Sequence, residues 1–133
     1  MGEGPAVRVK ELDHIVLVCA DVEKTIAWYV DELGLTAERL EEWRRKEVFF
    51  PSARINEGTI IDFFQGTPEQ AAEAGRLDHL CIVVEPTDLA AIGESGRFDV
   101  VSGPVERWGA RGNGQSLYVH DPDGNTVEIR YYP

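Results

Sequence analysis

The sequence predicts an α+β fold in which one βαβββ module occurs twice. Three observations carry this. Leu12-Asp13-His14 opens the apolar run Ile15-Val16-Leu17-Val18, and Leu77-Asp78-His79 opens Leu80-Cys81-Ile82-Val83. The offset between the two is close to half of the 133-residue chain. After each motif the hydrophobic pattern changes from a strand to a helix and then to further short strands. A repeat of this kind sets the architecture before any local assignment is made.

In the first half, Leu12–Cys19 reads as a continuous apolar strand. Asp21 is an N-cap for a helix over Val22–Leu33, and Gly34 is its stop. Ile26, Tyr29, Val30 and Leu33 fall at helical spacing and are expected to pack on a sheet. Strands are predicted over Thr36–Trp43, Glu47–Pro51 and Thr59–Gln65, with Gly58 marking the last turn. The second half gives a strand at Leu77–Val84, a short helix at Thr87–Glu94, and strands at Asp99–Ser102, Ser116–His120 and Thr126–Tyr132. The last two form a hairpin through Asp121-Pro122-Asp123-Gly124-Asn125, whose residues suit a turn. The chain thus divides into module one (about 10–66), a linker (67–76) and module two (77–133), within a single domain.

Hydrophobic content of 43% and charged content of 28% are those of an ordinary globular protein. A net charge of −11 speaks against nucleic acid and anionic membrane as partners, since both demand a basic footprint. There is no long apolar run and no signal-peptide character at the start, so a cytoplasmic protein is expected. Cys19 and Cys81 do not match in the repeat and have no CxxC spacing, which reads as two buried, reduced thiols.

Strand faces alternate every two residues, so His14, Val16 and Val18 share one face, as do His79, Cys81 and Val83. Two equivalent histidines can point into a common cavity if the modules pair. Glu128 stands between Val127 and Ile129 on a mostly apolar strand, where a carboxylate is costly unless paired or coordinated. With the turn centred on Asp123, Tyr118 faces Glu128 across the ladder. His14, His79 and Glu128 make a two-histidine, one-carboxylate set suited to divalent Fe, Mn, Zn or Ni. Counting from His14 by the spacing of His79 to Glu128 lands on Phe63, which cannot ligate. A one-residue difference in loop length would bring Asp62 inward as a fourth ligand. Trp108-Gly109-Ala110-Arg111-Gly112-Asn113-Gly114 reads as a flexible glycine-rich loop closing over the cavity. Its indole would cover an apolar part of a ligand and Arg111 would meet an anionic group, with Tyr118 as a hydroxyl donor. His120 reads as a surface residue and Arg44-Arg45-Lys46 as a solvated strand end.

With these motifs the chain resembles the vicinal oxygen chelate superfamily: glyoxalase I, fosfomycin and bleomycin resistance proteins, methylmalonyl-CoA epimerase and extradiol dioxygenases. The resemblance covers residues 10–132. It rests on Leu12-Asp13-His14-Ile15, on the helix ending Asp31-Glu32-Leu33-Gly34-Leu35, on Leu77-Asp78-His79, and on the segment from Ser116 to Glu128. It implies an open, cup-shaped mixed sheet around a divalent metal (Fe, Mn, Ni, Co or Zn). His14, His79 and Glu128 match family ligands, and Asp62 stands where the epimerases carry glutamine or glutamate. It also implies a homodimer. The extradiol signature needs a histidine shortly before Leu117, and Arg107–Ser116 has none, which speaks against ring cleavage. Bleomycin-binding members lack the metal ligands that this chain keeps.

The function expected is that of a metal-dependent enzyme acting on a small oxygenated substrate. Its chemistry is proton abstraction next to a chelated carbonyl, of lyase or isomerase type, with Lewis-acid stabilisation of the enolate. A dioxygenase on the same residues and a non-catalytic antibiotic- or metabolite-binding resistance protein are the alternatives.

Overall fold

A run of β-branched and other apolar residues after His14 makes His14–Cys19 a strand, β1. Leu17 and Cys19 turn inward, while His14 and Val16 stay exposed. The helix α1 spans Val22–Leu33. The Asp21 side chain accepts from Lys24 N at 3.1 Å, and Gly34 ends the helix in the left-handed region at φ 73°. This computed structural model describes residues 8, 10–73, 77–109 and 111–133. Beyond α1, module one holds β2 (Thr36–Glu38), α2 (Leu40–Arg44), β3 (Ser52–Asn56) and β4 (Thr59–Gln65). A helix α3 (Pro68–Glu73) leads to module two: β5 (Leu80–Val83), α4 (Leu89–Glu94), β6 (Asp99–Gly109), β7 (Gly112–His120) and β8 (Thr126–Tyr131).

The two sheets have the same strand order, β1-β4-β3-β2 and β5-β8-β7-β6. In each, the first and last strands of the module run parallel and the remaining pairs antiparallel. Both turn their apolar faces into one core. Leu17, Ile61 and Phe63 of the first sheet join Leu80, Leu117, Val119, Val127 and Ile129 of the second, with Ile26 and Tyr29 of α1 among them.

Several local expectations need correction. The strand predicted over Thr36–Trp43 stops at Glu38. Arg39 takes a left-handed φ of 61°, and Leu40–Arg44 then coils into α2, where Leu40 and Trp43 share a helical face and pack against the core. Arg44, read as part of a solvated strand end, instead sits on α2 and pairs with Glu23 and Glu41. The strand placed at Glu47–Pro51 lies later, at Ser52–Asn56. Part of the linker is the helix α3; residues 74–76 of it lie outside the described residues. Cys81 is exposed rather than buried, because it lies on the outer face of β5.

Most of the segment read as a flexible glycine-rich loop is strand: β6 runs to Gly109 and β7 starts at Gly112, with Trp108 opposite Asn113 and Gly109 opposite Gly112, while Ala110 lies outside the described residues. The glycines there serve geometry. Gly112 adopts φ 96°, and a Cβ on Gly114 would come within 2.8 Å of the Tyr131 carbonyl oxygen and 3.2 Å of Arg130 Nη1. Among the described residues no helix is long and apolar enough to cross a membrane.

The β7–β8 turn fastens module two to α1. Asp123 accepts from Ala20 N at 3.0 Å and from the Thr25 hydroxyl at 2.5 Å. Asp121 is buried and accepts from Asp123 N, Asn125 N, Asn125 Nδ2 and the Tyr29 hydroxyl, all at 2.8–2.9 Å. Burial, then the Asp121 charge, pushes the Tyr29 phenol well above its ordinary pKa, so it stays a donor. Tyr29→Phe is expected to lower stability by about 1.5–3 kcal/mol, the range for a hydrogen bond to a charged group. Urea unfolding at pH 7 measures it, and an unchanged midpoint would show that the fastening contributes nothing.

Candidate metal centre

The duplication places its carboxylates by register. On β4 Asp62 lies beside Val16, two residues after His14; on β8 Glu128 lies beside Cys81, two residues after His79. Asp62 is therefore the structural counterpart of Glu128. Phe63 points the other way, fully buried against Tyr29 with ring centroids 5.4 Å apart. Both carboxylates are themselves almost fully buried, on the face of each sheet that is turned away from the shared core.

Around each carboxylate stands the same arrangement of side chains. His14 Nδ1 lies 2.8 Å from Asp13 Oδ2, and His79 Nδ1 lies 2.6 Å from Asp78 Oδ2. A carboxylate on Nδ1 keeps the proton there and leaves the Nε2 lone pair for a ligand. His14 Nε2 faces Asp62 Oδ2 at 3.9 Å, and His79 Nε2 faces Glu128 Oε1 at 3.1 Å. The far oxygen of each acid is tied by a serine: Ser52 Oγ donates to Asp62 Oδ1 and Ser116 Oγ to Glu128 Oε2, both at 2.6 Å. One oxygen of each acid is thus anchored, and the other is turned toward an imidazole.

The halves differ in charge. Arg130, itself buried, donates to Glu128 Oε2 through Nε at 3.2 Å and Nη2 at 3.0 Å. Burial alone would raise the Glu128 pKa. The Ser116 hydroxyl and the Arg130 guanidinium outweigh it and hold the carboxyl below the ordinary glutamate value. Tyr118 lies directly across from Glu128, with its ring edge-on to His79 at 5.8 Å. Its phenol is pushed upward, first by burial and then by the Glu128 charge.

Within one chain, among the described residues, His14 is not gathered with His79 and Glu128. Among the described residues no three His, Cys, Asp or Glu side chains gather closely enough to hold a metal ion. The cause is the shared core: because both sheets bury their apolar faces together, their polar faces are left outside it as two separate half-sites, His14–Asp62 and His79–Glu128. Arg111 does not approach either half through any described contact. It lies at the tip of the hairpin, its guanidinium 5.9 Å from the centre of the Tyr132 ring. The side chain of Trp108 lies outside the described residues. His120 sits beside Asp99 at 3.1 Å, on the surface. The sequence reading passed over Asp13, Asp78, Ser52, Ser116 and Arg130. The two aspartates stood in the repeated tripeptide, and the two serines carried no signal without the register.

Each half-site fits a divalent ion as a histidine–carboxylate pair with its supporting partners in place. His14 has a raised pKa, chiefly through its bond to Asp13, so protons compete with metal at this nitrogen from a higher pH. Asp13→Asn is expected to move the pH midpoint of metal binding downward. It should also lower the plateau affinity by about tenfold, the small end of supporting-partner effects for so exposed a group. Titrations with Mn(II) between pH 5.5 and 8 test this; an unmoved midpoint would separate Asp13 from the site.

The fold and this arrangement define a protein of paired βαβββ modules with histidine–carboxylate pairs on their polar faces. The model of the Glyoxalase/Bleomycin resistance protein/Dioxygenase superfamily matches residues 11–129, and the chain belongs to that superfamily. It is 32% identical over 126 residues to virulence protein STM3117 of Salmonella typhimurium, covering 93% of this chain and 85% of the relative. The crystal structure of that protein superposes with a TM-score of 0.69, covering 96% of this chain and all of the other. It is 35% identical over 127 residues to the glyoxalase domain-containing protein RDO1 of Mycosarcoma maydis, covering 93% of this chain and 69% of that one. A glyoxalase/dioxygenase from Nostoc punctiforme, 26% identical, superposes with a TM-score of 0.71 over 98% of this chain and 99% of its own.

Proposed function

We propose that this protein is a metal-dependent enzyme acting on a small oxygenated substrate. Its centre is formed in a homodimer by His14 and Asp62 of one protomer with His79 and Glu128 of the other. The observation that carries the reading is the duplicated half-site, in which an aspartate orients a histidine, a serine anchors the facing acid, and one oxygen of that acid is left for a ligand. Each half alone supplies two donors, too few for a stable site. A twofold dimer joining unlike modules would make two complete sites at once.

The edges suit that pairing. Among the described residues β1 pairs only with β4 and β5 only with β8, so each module keeps an open outer edge beside its histidine. Val16 and Val83 stand 44% and 54% exposed on these strands, apolar area that a partner protomer would cover.

A divalent ion held there supplies Lewis-acid polarisation of a chelated carbonyl. Ser52, Ser116 and Arg130 keep the two acids oriented while substrate binds and leaves. Tyr118, protonated at neutral pH, directs a hydrogen-bond donor into the site from the rung of Glu128. A donor aimed at an oxygen that gains negative charge favours proton loss at the neighbouring carbon, which is lyase or isomerase chemistry. The Nostoc punctiforme neighbour is described as a glyoxalase/dioxygenase; oxygen chemistry on the same residues is the second reading.

Metal analysis of protein purified without chelator, followed by calorimetric titration with Mn(II), Ni(II) and Zn(II), tests the proposal. One ion per protomer with a dimer in sedimentation supports it. Iron together with oxygen uptake on candidate substrates selects the second reading, and failure to bind any of the ions leaves a binding protein without metal chemistry.

A further inference from the structure

The donors of the two half-sites match, but their flanks do not. Two residues beyond Asp62 on the same face stands Phe64; two residues beyond Glu128 stands Arg130. The Phe64 ring packs on Phe50 at 5.0 Å and on Phe49 at 6.1 Å, and Phe49 is 84% exposed. An aromatic side chain held open to water at the rim of a site has no role in the core and leaves apolar area to be covered by a ligand.

The opposite flank is cationic in a chain whose net charge is −11. Arg107 and Arg130 share the polar face of the second sheet. Arg107 lies on the rung of Gly114, the residue whose missing Cβ also leaves room for Arg130 Nη1. Arg130 is bonded to Glu128, but Arg107 has no acidic partner among the described residues. It donates to the Glu106 carbonyl at 3.0 Å, and its charge works against the rise in the Tyr118 phenol's pKa. Arg44, Arg45, Arg54 and Arg97 pair with carboxylates, and Arg39 and Arg111 lie over the Phe50 and Tyr132 rings; Arg107 has neither kind of partner among the described residues.

We infer that the substrate is an aromatic or similarly apolar carboxylate, its ring on the Phe49–Phe50–Phe64 wall and its carboxylate on Arg107. The inference rests on the two-protomer centre proposed above, in which the aromatic wall of one chain meets the cationic wall of the other. A guanidinium reads a carboxylate through paired N–H donors, and the open ring of Phe49 supplies stacking area. Substrates with an anion but no ring, or a ring but no anion, fill half of such a cup.

The test uses three probes that share vicinal oxygens: 3,4-dihydroxybenzoate, catechol and oxalate. Each is titrated calorimetrically into the Mn(II)-loaded and the metal-free protein, and Mn(II) binding is measured separately. Wild type is expected to bind 3,4-dihydroxybenzoate at least about tenfold more tightly than catechol, the size of one charge-assisted contact. Arg107→Gln should erase that preference, leaving catechol and Mn(II) affinities unchanged. Phe49→Ala should weaken both ring probes but not oxalate. The carboxylate preference is read with and without metal, so its absence from wild type, or its survival in Arg107→Gln, overturns this inference whatever Mn(II) does. Loss of Mn(II) binding from wild type overturns instead the metal reading on which it rests.

Discussion

Mixing His14→Ala protein with His79→Ala protein is expected to restore metal binding that neither variant has alone. Removing one histidine takes away one of only two nitrogen donors and leaves its place to water, and affinity should fall by at least about a hundredfold in each homodimer. If the centre joins His14–Asp62 of one protomer to His79–Glu128 of the other, a mixed dimer holds one doubly damaged site and one intact site. Co-refolded or subunit-exchanged mixtures should then bind up to one ion per mixed dimer with wild-type affinity. A centre closed within one chain gives the opposite result, since every chain in the mixture lacks one histidine. The experiment follows from the observation that each half-site is well formed while no three donors meet among the described residues of one chain. Glu128→Ala belongs in the same series. It removes an acceptor for Ser116 and the buried partner of Arg130, so its loss of metal must be compared with Glu128→Gln, which keeps the shape and discards the charge.

That His14 and His79 occupy equivalent places was legible from the repeated Leu-Asp-His; how the two modules pack was not. An internal duplication says that two modules are equivalent, but it does not say which copies of them face each other. That choice is made by the apolar faces, and here α1 and the β7–β8 turn commit both sheets to one core through Tyr29, Thr25, Asp121 and Asp123. The strand β1 and the helix α1 fell close to their predicted limits because local signals agreed: a continuous apolar run, an aspartate cap and a glycine stop. Misreadings arose where one residue served another purpose. Arg39 ends β2 by its left-handed φ, which no residue type announces. The glycines of segment 108–114 suggested mobility, yet Gly114 is required by the space that Arg130 occupies, and Gly112 by the turn. Arg130 itself was invisible as a site residue, because a charged residue near the end of a strand is usually solvated, and only the register showed it buried beside Glu128.

Asp62→Ala and Phe63→Ala, adjacent in sequence, are expected to fail in opposite ways. From His14 to Asp62 the chain is one residue shorter than from His79 to Glu128, so simple repeat spacing points at Phe63. The register corrects this. Asp62 lies beside Val16 on the polar face, and Phe63 beside Leu17 in the core, packed on Tyr29. Phe63→Ala removes a fully buried ring and leaves a cavity among Leu17, Tyr29 and Ile61, which should cost about 3–5 kcal/mol. For a protein of this size that lowers the melting temperature by roughly 10–20 °C. The metal affinity of the folded fraction should be close to wild type, because no donor is touched. Asp62→Ala should do the reverse. Its carboxylate bonds Ser52, so a cost of about 1–2 kcal/mol is expected for the hydroxyl left without its acceptor. Affinity for Mn(II) should meanwhile fall steeply with the loss of a donor. Thermal unfolding with and without Mn(II) reads both effects in one measurement, since a bound ion stabilises by its affinity. Phe63→Ala should keep the metal-induced rise in melting temperature, and Asp62→Ala should lose it. Should Asp62→Ala keep that rise, its position would belong to water or substrate, and the centre would consist of His14 with His79 and Glu128 alone.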